Sequence, residues 1–334
     1  MSTQLPSPPS KLESGATVSH LHHVGHVVRN IESAITLYRR MGFLLPPPSF
    51  PALAPHPGEP ARAFGAGNTH VSLRNSFVEL VTVIDDQHGG GVDPDTTLVP
   101  LQAPPEVLKR LTEDITQTAT RISQALHRFE GLHILVFGTA DVDATVARLE
   151  AERVVHGPVT RVQRSVGTGA KAEQISIGFA EIDSEPGLSP EGRLALAEDG
   201  PVDSTPPAAR DHPNGAGELV ESVLCVPDDD LSQYERRYRR YLQRPARSDG
   251  SLRIFDLDNS SVVIVPNSSL GSVLPGEVPP DLPAFVAYAL AVRDLSATRD
   301  VLERSGFPVQ TSPLGGIFVP ASAALGAAII FHGL

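Results

Sequence analysis

Four times along this chain an apolar or alternating run is followed by an Asp or Asn placed to cap a helix-like stretch, and that recurrence constrains the fold more than any other feature. The openings are His20-Leu21-His22-His23-Val24-Gly25-His26-Val27-Val28, Gly131-Leu132-His133-Ile134-Leu135-Val136-Phe137, Leu219 to Val226, and Ala284 to Val292. Further strands follow each helix, including Asn68 to Arg74 and Asn75 to Val83, which meet at a tight Asn75-Ser76 turn and read as a hairpin. Each unit therefore reads as βαβββ. The expected class is α+β, with four such modules in two domains.

Domain limits follow from composition. Residues 1–18, rich in Ser and Pro, read as a disordered tail. Modules at 19–95 and 131–201 form the first domain, 202–214 a Pro-rich linker, and 215–334 the second domain. Between the first two modules, Val107, Leu108, Leu111, Ile115, Ile122 and Leu126 fall at helical spacing, so a connecting helix is expected over about 104–129.

Charge narrows the partners. With 39 acidic against 27 basic residues, a net charge of -12 offers no broad basic surface for nucleic acid. No apolar run approaches the ~20 residues of a membrane helix. The single Cys225 excludes an intrachain disulfide, and the expected setting is a reducing cytoplasm. A small-molecule substrate is the expected partner. Four units in one chain can complete both clefts, which favours a monomer over a homodimer.

The first and second units each carry a strand histidine followed by a later strand bearing a carboxylate, the makings of one metal site. Alternation along the first strand sends His23, Gly25 and Val27 to a cleft face, and His26 to the helix face as a core histidine. By the same count His70, Ser72 and Arg74 face the cleft, with Val71 and Leu73 inward. In the second unit Ile175, Ile177 and Phe179 are assigned to the helix side, and Gln174, Ser176 and Gly178 to the cleft. His70, Ser72, Arg74, Gln174 and Ser176 are thus candidate substrate contacts. Arg161 and Arg164 are placed to hold a substrate carboxylate or to pair with nearby acids. The run Arg236-Arg237-Tyr238-Arg239-Arg240 reads as a solvated helix face.

His23-Val24-Gly25-His26-Val27-Val28-Arg29-Asn30, Phe77-Val78-Glu79-Leu80, Gly131-Leu132-His133 and His212-Pro213-Asn214-Gly215-Ala216 resemble the vicinal oxygen chelate superfamily, the glyoxalase, bleomycin-resistance and extradiol dioxygenase group. Within it they are similar to glyoxalase-like proteins with four βαβββ units, which implies that the units pair into two glyoxalase-like domains with curved mixed sheets. The resemblance implies a metal held by His23, Glu79, His133 and Glu198, with Glu173 as the alternative to Glu198. Imidazole with carboxylate suits zinc, iron, nickel, cobalt or manganese. It implies an isomerase, epimerase or lyase acting on a substrate with vicinal oxygens, with Glu79 or Glu198 moving the proton. An extradiol-type dioxygenase and a non-catalytic drug-sequestering protein are the alternatives. In the third and fourth units Glu221 and Ala287 take the places of the histidines and the closing strands offer no carboxylate, so the second domain is expected to bind no metal.

Overall fold

A computed structural model describes residues 17–54, 59–84, 93–166, 173–183, 185, 187–198 and 210–334. Residues 1–16 of the expected tail and most of the 202–214 linker lie outside them, while Val18 opens the first strand. The first unit comprises β1 (Val18–Val27), α1 (Ile31–Arg40), β2 (Ser49–Leu53), β3 (Arg62–Ala63), β4 (Ala66–Ser72), β5 (Phe77–Val83) and β6 (Thr97–Pro100). After α2 (Pro105–Arg128) come β7 (Gly131–Thr139), α3 (Val142–Ala151), β8 (Thr160–Val166), β9 (Glu173–Ile182) and β10 (Arg193–Glu198). The third unit is β11 (Ala216–Val226), α4 (Leu231–Leu242), β12 (Arg247–Asp249), β13 (Leu252–Asp256) and β14 (Ser261–Pro266). The fourth is β15 (Ala284–Val292), α5 (Leu295–Arg304), β16 (Gln310–Thr311), β17 (Ile317–Val319) and β18 (Ala328–Gly333). The class is α+β, as expected.

Side-chain caps start three of the four unit helices: Asn30 accepts from the Ser33 amide at 2.7 Å, Asp141 from Ala144 at 2.9 Å, and Asp294 from Ala297 at 3.0 Å. Units pair through their opening strands, β1 antiparallel to β7 and β11 antiparallel to β15, while each opening strand runs parallel to its own unit's closing strand. Helices α1, α3, α4 and α5 pack on one side of these sheets and share one core. His26 lies in it, fully buried: its Nε2–H donates to the Leu325 carbonyl at 2.8 Å, and Nδ1 accepts from the Tyr38 hydroxyl at 2.8 Å. The Tyr38 hydroxyl lies 3.0 Å from that of Tyr288 in the fourth unit, so a buried polar chain joins the two pairs.

The basic run of α4 departs from its sequence reading. Tyr234, Tyr238 and Tyr241 form the buried stripe of α4, and Arg237 at its edge turns inward rather than to solvent. Its guanidinium stacks 4.9 Å over Tyr234 and reaches Glu191 at 3.2 Å and Asp183 at 3.5 Å, both between β9 and β10. Glu191 is fully buried, which pushes its carboxyl pKa up against the pull of Arg237. Removing one partner strands a buried charge. Arg237→Ala is expected to lower unfolding free energy by about 3–5 kcal/mol, and Arg237→Met with Glu191→Leu by much less, as measured by urea denaturation.

Candidate functional site

The cleft face of the first pair is floored by Val27 of β1, Val81 of β5, Ile134 and Val136 of β7, and Ala195 and Ala197 of β10. Ile122 and Leu126, one turn apart in the C-terminal half of α2, bury against this floor. The connecting helix thus lies across the paired cleft, while its N-terminal Val107 and Leu111 stay exposed.

Register then decides which expected ligands meet. Gly25 pairs with Glu79 on one side and with Ile134 on the other. A Cβ at Gly25 would stand 2.6 Å from the Ile134 Cβ, so the isoleucine leans over the glycine. Hydrocarbon therefore covers Gly25, between Glu79 on β5 and the β7 strand. His23 pairs with Phe77 and Val136, whereas Gly25 pairs with Ile134 and His26 with Leu132, which leaves His133 as the extra residue of a β-bulge. Three residues separate His133 from Val136, ~10 Å along the strand.

His133 is buried, its ring 4.1 Å from Phe129, with Nε2 donating to the Phe129 carbonyl at 2.9 Å and the lone pair on Nδ1. It borders a cavity of about 390 Å³ beneath α2, with Arg121, Arg193 and Glu181.

The structure does not bring Glu198 to this cleft. Leu194 and Leu196 face the helix core and Ala195 and Ala197 face α2, so Glu198 continues the leucine face. There it accepts from the Gly178 amide at 2.7 Å and the Val142 amide at 3.3 Å, and pairs with Arg161 at 3.1 Å. Arg161 also binds Asp143, so it pairs with acids rather than standing ready for a substrate. Glu198 pairs with Thr139 at the far end of β7 from His133, ~20 Å along the strand. Among the described residues, one set of three ligand groups comes within 4.8 Å, Asp141, Asp143 and Glu198, and Arg161 pairs with two of its three carboxylates.

The second-unit parity is also reversed. Phe179 packs toward the α2 side beneath the Arg193 guanidinium, and a Cβ at Gly178 would meet Val142 of α3 at 2.4 Å. Ser176 is exposed, and the side chains of Glu173, Gln174 and Arg164 lie outside the described residues. The place of His133 in the fourth unit belongs to Val286 rather than Ala287, because Val286 is the extra residue of the corresponding bulge between the Val223–Ala287 and Leu224–Phe285 pairs.

What does converge belongs to the first unit. Glu79 pairs with His70 across β4 and β5, and its Oε1 takes a hydrogen bond from Asn68 Nδ2 at 2.6 Å with His70 Nε2 at 3.9 Å. His23 stacks on Phe77 at 4.2 Å, and His70 meets the same ring edge-on at 4.8 Å. His22, the extra residue of a second bulge, shares a proton with His23 between their Nδ1 atoms at 2.7 Å. Sequence reading passed over Asn68 and Phe77, although Asn68 shares the alternation of His70 and Ser72. Arg74 sits at the hairpin turn and pairs with Glu218 at 3.1 Å, away from the cleft floor.

The model of the glyoxalase-like domain family matches residues 21–242, more than half of the chain. The chain belongs to that family. It is a member of the vicinal oxygen chelate superfamily. Its fold is similar to that of a hypothetical protein from Staphylococcus aureus, at 12% identity and a TM-score of 0.55, over 95% of this chain and 100% of that one. It is also similar to a variant of 4-hydroxymandelate synthase from Streptomyces coelicolor, at 12% identity and a TM-score of 0.53, over 95% of this chain and 92% of the other. These likenesses establish the fold. No curated protein matches the chain.

Burial holds both His26 and His133 neutral by lowering their pKa to about 4. An unfolded histidine titrates near ~6.5, so the unfolded chain takes up protons that the folded chain refuses between these values. The stabilisation is complete above pH ~6.5 and is lost as pH falls through ~4, about 3 kcal/mol per histidine. Urea unfolding at pH 7, 6 and 5 is expected to show that decline, and His133→Gln to remove about half of it.

Proposed function

We propose that this glyoxalase-like protein is a metal-dependent enzyme with one chemical centre, on the cleft face of the first unit alone. A divalent cation would be held there by His70 and Glu79, with its other positions open to substrate and solvent. Donors ~2.1 Å from one cation lie no more than ~4.2 Å apart, and the 3.9 Å between His70 Nε2 and Glu79 Oε1 fits. That separation is the observation that carries the reading. Bound there, the ion would polarise a substrate bearing vicinal oxygens, and zinc, iron, nickel, cobalt and manganese all suit the donor set.

The chain's own groups supply the rest. Asn68 fixes Oε1 of Glu79, which leaves Oε2 to take or return a substrate proton, the step common to isomerase, epimerase and lyase chemistry. Val81, Ile134 and Val136, roofed by α2, form a dry wall beside this carboxylate that strengthens its electrostatic interactions with a bound substrate.

The alternative, a ring-cleaving dioxygenase, would use two histidines and one carboxylate on iron(II), whereas among the described residues no third ligand group comes within 4.8 Å of both His70 and Glu79.

Cobalt(II) titration separates this site from one shared between units. His70→Ala and Glu79→Gln are expected to weaken binding at least ~100-fold, about 2.7 kcal/mol, while His133→Ala and Glu198→Gln stay within about twofold of wild type. Loss of the metal in His133→Ala would reverse the assignment. Catechol-dependent oxygen uptake by the iron(II) form would select the dioxygenase reading over the isomerase or lyase one.

A further inference from the structure

The second pair of units lacks the first pair's histidines, yet it grips the hairpin on which the proposed site is built. His70 and Ser72 lie on β4, Phe77 and Glu79 on β5, and the Leu73 amide closes the turn on the Ser76 carbonyl at 2.9 Å. From outside the first domain, the His212 Nε2–H donates to the Ser72 carbonyl at 2.9 Å, while His212 Nδ1 accepts from the Leu44 amide at 3.0 Å. Beyond the turn, the Arg74 amide donates to the Gly217 carbonyl at 2.9 Å, the Leu219 amide to Ser76 Oγ at 3.2 Å, and Arg74 pairs with Glu218 at 3.1 Å. His212 is itself buried and fixed by its chain neighbours. Asn214 donates to the Met41 carbonyl at 3.0 Å, and its own carbonyl accepts from Thr298 Oγ1 of α5 at 2.7 Å.

We infer that the second pair acts as a positioning element for the first-unit site, with His212 as the positioning residue that sets where the β4–β5 hairpin presents His70 and Glu79. The inference rests on the site proposed above but is read from different atoms. His212 touches no reacting group. It ties the Ser72 carbonyl, two residues from His70, to the Leu44 amide, beside a cavity of about 460 Å³ lined by Leu44, Ser72, His70 and Pro213. A neutral imidazole that donates on one side and accepts on the other suits this span, and burial favours that neutral form by lowering the pKa of His212. Such a role gives the linker motif His212-Pro213-Asn214 a purpose that domain connection alone does not require.

Hydrogen exchange of the full chain, read by mass spectrometry alongside cobalt(II) titration, tests this. In His212→Leu the amides of residues 72–79 are expected to exchange at least tenfold faster while those of β7 and α3 stay within twofold, and cobalt affinity is expected to fall at least fivefold. His212→Gln, which keeps one donor and one acceptor, is expected to restore most of both. Should His212→Leu fail to fold, Ser76→Ala removes the Leu219 contact at the surface and carries the same expectation for the hairpin amides. Unchanged hairpin exchange, or exchange rising equally in β7 and α3, overturns the inference. Wild-type protein that takes no cobalt sinks the metal reading, while the exchange result still decides the positioning role.

Discussion

The contact between α2 and the floor of the first cleft governs the rest of this molecule. Ile122 and Leu126 settle on Val27, Val81, Ile134, Val136, Ala195 and Ala197, and burying two such side chains contributes about 1.5–3 kcal/mol each. A cleft filled in this way puts hydrocarbon along the seam between the two units. Ile134 leaning over Gly25 closes the remaining gap beside Glu79. Polar chemistry is displaced sideways, onto the outer strands of the first unit, where Asn68, His70 and Glu79 meet around Phe77.

The second pair is filled in the same manner from its own chain. Leu270, Val273 and Leu274 pack on the cleft face formed by Val223, Val263, Val265, Ala287, Ala289, Ala328 and Ile330. Glu221 stands where the first unit has His23, hydrogen-bonded to Ser261 at 3.2 Å, and burial raises its pKa to about 7. A carboxylic acid held close to neutral in this position suits packing better than cation binding. The two pairs thus divide their work: one carries polar groups at its open edge, and the other braces that edge through the linker. A fold shared by many chemistries leaves such division to individual side chains.

Much of the architecture was legible because it depends on local signals. The strand openings, the Asn30, Asp141 and Asp294 caps and the stripe of α2 are each set by residues a few positions apart. The alternation of β4 correctly sent Val71 and Leu73 to the core. The placement of the expected ligands depends on non-local geometry. A bulge makes His133 the extra residue of its strand, and no single strand's alternation reveals it. The face of Glu198 was readable after all: Leu194-Ala195-Leu196-Ala197 alternates large toward the helices and small toward α2, and Glu198 continues the large set. Arg237 was misread because charge suggested solvent, whereas its partner Glu191 comes from another unit.

Anomalous diffraction at the cobalt edge, from crystals of the full chain grown with cobalt(II), tests the central claim most directly. One strong peak within bonding distance of His70 Nε2 and Glu79 Oε1, with none at His133, is the outcome expected. A peak joining His133 to His23, with Ile134 and α2 moved aside, would contradict it and return the site to the seam between the two units.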